Sequence, residues 1–225
     1  RRVESQSDEI DFMGTEEKII NLQWPFEIER WVKILPKNII VIAGESNAGK
    51  TAFLLNTSWL NMSKFKINFF SSEMGAMEFR ARLQKFQGNL QYWKDNVNFR
   101  ERSSNFADVV KSNDVNIIDF LEVTEDFFKV GGMIKEIYDK LKKGIAIIAL
   151  QKNKGRDLGL GAERSIEKAR LYLSIENGKI KIIKGKNWAN PEVNPNGMEW
   201  KFKLVQGSKF IIMEEKKPKS WYKED

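Results

Sequence analysis

One octapeptide narrows the folds open to this chain more than any other feature. Gly44-Glu45-Ser46-Asn47-Ala48-Gly49-Lys50-Thr51 satisfies G-x-x-x-x-G-K-[ST] at every constrained position. Glycines in a loop of this kind let backbone N–H groups turn inward to within reach of phosphate oxygens. The lysine can then face the β- and γ-phosphates, and the next hydroxyl offers an oxygen to Mg²⁺. The flanks agree with this. Asn38–Ala43 is an apolar, β-rich run that reads as a strand, and Lys50–Met62 carries a helical pattern whose positive dipole end favours anions. At average composition the motif arises by chance in about one chain in a hundred of this length. Chance seldom supplies the strand and the helix as well. The competing reading is a Gly-rich surface turn. Residues 44–51, with Ala52 just inside the helix, are therefore expected to hold a nucleotide such as ATP, with Mg²⁺ on Thr51.

Two absences narrow the chemistry. The 225 residues include no cysteine and no histidine, which excludes thiol nucleophiles, disulfides, zinc fingers and imidazole bases. A metal here must take oxygen ligands, as Mg²⁺ does. No apolar run approaches the ~20 residues of a membrane helix, and no signal-peptide pattern opens the chain. The expectation is a cytoplasmic protein without a membrane partner. The sequence does not begin with Met, which suits a piece of a longer protein. Its net charge of +7 fits either an ordinary basic protein or one that meets a polyanion.

Apolar runs alternate with helical patterns along most of the chain. Lys66–Ser71, Val115–Ile118 and Ile145–Leu150 read as strands; Ala76–Phe86 and Asp126–Lys143 read as helices, the latter tolerating Gly131 and Gly132. Residues 88–112 are polar and mixed and give no clear pattern. Beyond Lys168 come the alternating runs Arg170–Ser174, Lys179–Ile183, Met198–Leu204 and Lys209–Met213, with residues 190–197 as a hairpin loop. The expected fold class is α/β: a mostly parallel sheet flanked by helices, with an antiparallel β extension at the C-terminal end. Residues 1–15 read as a flexible segment, 16–213 as one domain and 214–225 as a charged tail. Trp24, Phe26 and Trp31 suit a core or interface more simply than base stacking.

Ligands of open parallel sheets sit at the carboxyl ends of the strands. Glu73 follows one expected strand, Asp119 directly follows Val-Asn-Ile-Ile, and Gln151 directly follows Ile-Ala-Ile-Ile-Ala-Leu. Asp119 suits water-mediated binding of Mg²⁺. With histidine absent, Glu73 is the natural group to polarise an attacking water. The amide of Gln151 can touch a γ-phosphate.

Phe70-Ser-Ser-Glu-Met-Gly-Ala-Met-Glu-Phe-Arg-Ala-Arg-Leu83 resembles the "FFSLEM…RL" segment of DnaB-like replicative helicases, in a phage- or plasmid-type variant of the RecA-type P-loop superfamily. Other marks of that family follow in order: residues 44–51, Ile117-Ile-Asp-Phe-Leu121, Ala149-Leu-Gln151, Gly159–Leu171 and Lys184-Gly-Lys-Asn187. The likeness spans about Trp24 to Met213. It implies a RecA-like core in which Glu73 is the catalytic base, Asp119 holds Mg²⁺ and Gln151 senses the γ-phosphate. Lys184 and Lys186 align with a basic strand-end motif that usually reads Lys-x-Arg and reaches the neighbouring subunit's nucleotide; lysine lacks the forked contact of arginine. The stretch 152–161 is basic and Gly-rich, and relatives place DNA-binding loops here. Lys152, Lys154 and Arg156 thereby become candidates for single-stranded DNA, against the alternative of a solvated loop. The resemblance further implies a homo-oligomer, a ring or filament with a hexamer favoured. Three readings stay open: an ATP-driven helicase motor, a DNA-binding ATPase switch or loader, and a recombinase-like filament former.

Overall fold

Strand-sized apolar runs with no polar face must be covered on both sides, and helices do the covering. The computed structural model describes residues 12–13, 18–119 and 129–217. Its strands are β1 (Ile39–Gly44), β2 (Ile67–Ser71), β3 (Val97–Glu101), β4 (Val115–Asp119), β5 (Ile145–Gln151), β6 (Ala169–Glu176), β7 (Lys179–Gly185), β8 (Glu199–Val205) and β9 (Lys209–Lys216). The helices are α1 (Lys50–Asn61), α2 (Ala76–Leu83), α3 (Leu90–Asn96), α4 (Lys129–Lys140) and α5 (Glu163–Ile166). One nine-stranded sheet runs in the order β3-β2-β4-β5-β1-β6-β7-β8-β9. Pairing is parallel from β3 through β6 and antiparallel from β6 to β9. The expected α/β architecture with an antiparallel extension is the one observed.

Every residue of β1 is buried, and its side chains alternate between two cores. Ile40 and Ile42 join the cluster that includes Phe53 and Leu54 of α1. Ile39, Val41 and Ala43 join the opposite cluster with Val130, Ile134 and Ile137 of α4. The latter three recur at helical spacing, which gives α4 one apolar stripe. Replacing one such isoleucine by alanine costs about 2–5 kcal/mol.

The N-terminal segment is fastened behind α1. The Asn61 amide donates to the Gln23 carbonyl at 2.7 Å and accepts from the Gln23 N–H at 2.9 Å. Phe26 packs on Phe53, Phe202 and Phe210 with ring centroids 6.3, 5.4 and 5.1 Å apart. It does so from a left-handed backbone, φ 66°, as does Glu27 at φ 52°, a conformation that costs about 1–2 kcal/mol per non-glycine residue. Trp24 and Phe26 are thus core residues, and Trp31 packs at the core's edge.

Several boundaries differ from expectation. Residues 88–112 contain α3, capped by Asn89 accepting from the Tyr92 N–H at 2.9 Å, then β3 and a 3-10 turn at Phe106–Asp108. In β3 only Val97 is buried, so this edge strand left no alternating pattern to read. β9 runs on to Lys216, past the expected tail boundary, because Glu214 pairs with Lys201 and Glu215 accepts from the Trp200 indole N–H at 3.3 Å. Residues 126–128 of the expected second helix lie outside the described residues, as do Phe120, Leu121, most of the N-terminal segment and residues 218–225. Among the described residues no helix is long and apolar enough to cross a membrane.

Candidate nucleotide site

The loop between β1 and α1 has the conformation its glycines predict. Gly49 sits at φ 100° as the residue preceding α1, where a side chain would be strained. A Cβ on Gly44 would lie 2.6 Å from both the Lys50 Cγ and the Ile175 Cγ2. Glycine there lets the lysine fold back over the loop. The Lys50 ammonium donates to the carbonyls of Gly44 and Glu45 at 3.1 and 2.8 Å, which holds it across the loop mouth. Burial pushes its pKa down, and the charges of Asp119 and Glu73 oppose that shift. Ser46 and Asn47 are exposed at the tip, while Ala48 is buried beneath it.

The sheet order brings the strand-end residues to this loop. Gly44 is level with Gln151 on the adjacent β5, and Ser71 is level with Asp119 where β2 meets β4. The polar ends of β1, β5, β4 and β2 therefore line one edge in sequence. Asp119 is only 3% exposed and accepts a hydrogen bond from the Thr51 hydroxyl. Its pKa is raised to about 6, chiefly by burial and also by nearby Glu73, against the opposing effects of Thr51, Lys50 and Arg82. Glu73, on the turn after β2, is exposed to solvent. Its charge is felt at both Asp119 and Lys50. A buried carboxylate joined to a hydroxyl offers the oxygen donors that a hard cation takes beside a phosphate. Thr51 and Asp119 thus fit Mg²⁺.

No protein-family model matches the chain, and no curated protein sequence does. Among solved structures, the chain resembles the KaiC-like protein PH0186 from the hyperthermophilic archaeon Pyrococcus horikoshii OT3. The likeness has a TM-score of 0.67 and covers 88% of this chain and 100% of that one, at 14% sequence identity. The fold is RecA-like. At that identity the match concerns architecture, so chemistry has to be argued from this chain's own side chains.

Within the RecA-like fold the basic loop after β5 is partly committed elsewhere. Lys152 is not an outward-facing cation as expected: it is 2% exposed. Its ammonium donates to Glu176 at the end of β6 at 2.8 Å and to the Arg156 carbonyl at 2.7 Å. An apolar strand end leaves a cation little room except against a carboxylate, and Glu176 supplies it. Lys154 and Arg156 are exposed. Beneath them a cleft of about 760 Å³ opens between the loop and α5, lined by Arg156, Asp157, Leu158 and Glu163 among others.

Lys184 and Lys186 lie away from this chain's own loop. Lys184 is level with Tyr172, which pairs with Val41, and Gly185 is level with Leu171, which pairs with Ile40. At about 3.3 Å per residue, that sets them roughly 10 Å or more below Gly44. The Lys184 ammonium donates to the Ile166 carbonyl at 2.6 Å, closing the end of α5, and burial lowers its pKa. Lys186 is exposed.

Sequence reasoning overlooked Glu176, Tyr172 and a second contact of Glu45, itself already expected in the phosphate loop. Glu176 stands at the carboxyl end of β6 beside β1, so the strand-end rule would have found it had the strand not been read as ending at Ser174. Glu45 accepts from the Gly155 N–H at 3.2 Å, linking the phosphate loop to the basic loop. Tyr172 accepts from the Gly159 N–H at 2.8 Å and shares a hydrogen bond with Ser165 at 2.9 Å. No periodicity announces these last two.

Proposed function

We propose that the chain is an ATP-hydrolysing motor domain that acts on single-stranded DNA, of the DnaB-like replicative helicase type. The observation that carries the reading is the gathering of Lys50, Thr51, Asp119 and Glu73 at one sheet edge of a RecA-like fold. In this reading the loop N–H groups and Lys50 bind the triphosphate. Thr51 and Asp119 would hold Mg²⁺, which would supply positive charge to the phosphates. Water adds to the γ-phosphorus as its bond to the bridging oxygen breaks; Glu73 takes the proton, and ADP and phosphate leave. Gln151 would contact the γ-phosphate, a role its register with Gly44 supports, and it is followed at once by the basic loop.

Lys186 acts in trans, because the register keeps it off its own site. A neighbouring subunit would bring it to the γ-phosphate, where it stabilises developing charge. The partners are thus further copies of the chain in a ring or filament, and single-stranded DNA held by Lys154 and Arg156.

The decisive experiment is ATP hydrolysis with and without single-stranded DNA, beside a binding titration at several salt concentrations, for the parent and for Lys154→Ala with Arg156→Ala. The double variant is expected to keep basal turnover while losing DNA stimulation and most DNA affinity. Unchanged DNA binding would remove the track from the motor reading. Stimulated hydrolysis without strand displacement would favour a switch or loader.

A further inference from the structure

The edge of the sheet farthest from β3 carries a feature that the nucleotide site does not use. β9 is the last strand in the order, and among the described residues nothing pairs with its outer side. Such an edge presents unpaired N–H and C=O groups and is ordinarily blunted by brevity, charge or proline. Here the strand is eight residues long, and its middle is apolar and open: Ile211, Ile212 and Met213 are 40, 48 and 57% exposed. Charge is confined to the two ends, with Lys209 before the apolar run and Glu214, Glu215 and Lys216 after it.

We propose that β9 is the contact strand of a two-fold dimer, pairing antiparallel with β9 of a second copy of this chain. The order of charges selects that occupant. Against β8, β9 carries Met213 as an extra residue, so that Phe202 faces Ile212 and Lys201 faces Glu214. A two-fold axis through Ile211 reproduces the same step. Ile211 then meets Ile211, Phe210 meets Ile212, and Lys209 meets Glu214 beyond the bulge, twice by symmetry. Parallel pairing in register would instead set Lys209 on Lys209 and Glu214 on Glu214, and like charges directly opposite are unfavourable. Faces agree as well as sequence. Lys209, Ile211 and Glu214 lie opposite Val205, Lys203 and Lys201 on β8, the solvent side. Glu214 already holds Lys201 at 2.7 Å and would sit between two ammonium groups.

This contact is isologous, separate from the head-to-tail contact that brings Lys186 to a neighbour, and it does not depend on the ATPase reading. A contact of one short strand pair falls below the ~1,200 Å² of a standard interface, which makes it a weak, concentration-dependent association.

The test uses the full chain in sedimentation equilibrium and amide hydrogen exchange, over concentrations on the order of 10–500 µM. The expected result is a rise to twice the mass of the smaller species, with residues 209–214 gaining protection as concentration rises. Ile211→Lys, which sets a charge against itself at the axis, should weaken association more than about 10-fold, and Lys209→Glu about 5- to 10-fold. In a Lys201→Glu background, which keeps position 214 paired with an opposite charge on β8, Lys209→Glu combined with Glu214→Lys restores opposite charges across the axis and should return affinity to within about two-fold of the parent. All the altered side chains are exposed, and circular dichroism checks that each variant is folded. The proposal is overturned by absence of association, by an affinity indifferent to Lys209→Glu, or by failure of the double reversal to restore it. Protection of β9 that does not change with concentration overturns it too, since the chain itself would then cover the strand.

Discussion

Replacing Asp119 with asparagine should make the nucleotide-free protein more stable at neutral pH while disabling its site. The carboxyl is 3% exposed, and its pKa is raised from 3.8 to about 6, chiefly by burial. A carboxyl whose folded pKa lies above its unfolded value favours the folded state when protonated. That contribution is complete below the unfolded pKa and is lost as pH rises through the folded one. Across the interval from 3.8 to about 6, the loss amounts to about 3 kcal/mol at pH 7 and above. Asparagine keeps an oxygen for the Thr51 hydroxyl but carries no charge to desolvate. The variant should therefore gain about 3 kcal/mol at neutral pH, a rise in Tm of roughly 6–12 °C for a chain of this size. At about pH 4 the gain should shrink to roughly 0.5 kcal/mol, since the carboxyl is then protonated in the folded state and about half protonated in the unfolded one. Urea or thermal melts of both proteins at pH 4, 5.5 and 7.5, without nucleotide, measure the gap. Adding Mg²⁺ and nucleotide should then reverse the order, because the parent gains a bound ligand and the variant does not. A variant less stable than the parent at pH 7.5, or a gap that does not change with pH, would refute the account of Asp119 as a buried anion awaiting a cation.

Lys50→Ala removes the ammonium at the loop mouth and should weaken nucleotide binding by roughly two orders of magnitude or more, counting charge-assisted contacts at about 1.5–3 kcal/mol each; fluorescent-nucleotide titration checks it, and retained tight binding sinks the phosphate-loop reading. Glu73→Gln should bind nucleotide like the parent yet lower kcat by roughly 10²–10⁴-fold. Unchanged turnover would shift the base elsewhere, first to Glu122, which lies outside the described residues. Hydrolysis should fall on dilution, and Lys186→Ala subunits mixed with Glu73→Gln subunits should recover part of the activity that neither has alone. Activity independent of concentration, with no recovery on mixing, would mean a self-contained monomer.

The legible parts of this chain are those where one physical demand dominates. β1, β4 and β5 are buried on both faces, so their apolar runs stand out and their last residues can be counted. Asp119 and Gln151 stand out in that way. The loop 44–51 was legible because cradling phosphate admits few residue types in few orders. What stayed hidden depends on partners distant in sequence. The role of Lys152 is decided by Glu176, which pairing with β1 brings near; as a string, Lys-Asn-Lys-Gly-Arg looks like three equivalent cations. The charged start of the expected tail reads as solvent-loving until β8 provides Lys201 and Trp200 as partners for Glu214 and Glu215. β3 is an edge strand with a single buried side chain, and no period survives there. Lys184 looks like half of a catalytic pair, yet its ammonium is engaged by the Ile166 carbonyl.

The placement of Lys152 also changes a quantity that single-stranded DNA binding would reveal. Three outward cations on the loop would neutralise three phosphates per subunit, and on single strands each contributes about −0.7 to the slope of log affinity against log salt. With Lys152 buried against Glu176, only Lys154 and Arg156 remain on the loop's exposed side. The loop's share then falls from about −2.1 to about −1.4 per engaged subunit. Lys152 serves another end. Its ammonium holds the Arg156 carbonyl, Gly155 donates to Glu45 in the phosphate loop, and Gly159 donates to Tyr172. The two exposed cations are therefore carried on a span fixed at several points rather than on a free tether. Of these fixings, the Glu45–Gly155 hydrogen bond is exposed, worth about 1 kcal/mol, whereas the Lys152 ammonium is buried against a partly exposed Glu176 and is costly to leave unpaired. A charge change at the phosphate loop reaches the weak fixing first, because Glu45 is part of that loop. Loop motion coupled to the nucleotide should thus begin at Gly155 and leave Lys152 in place.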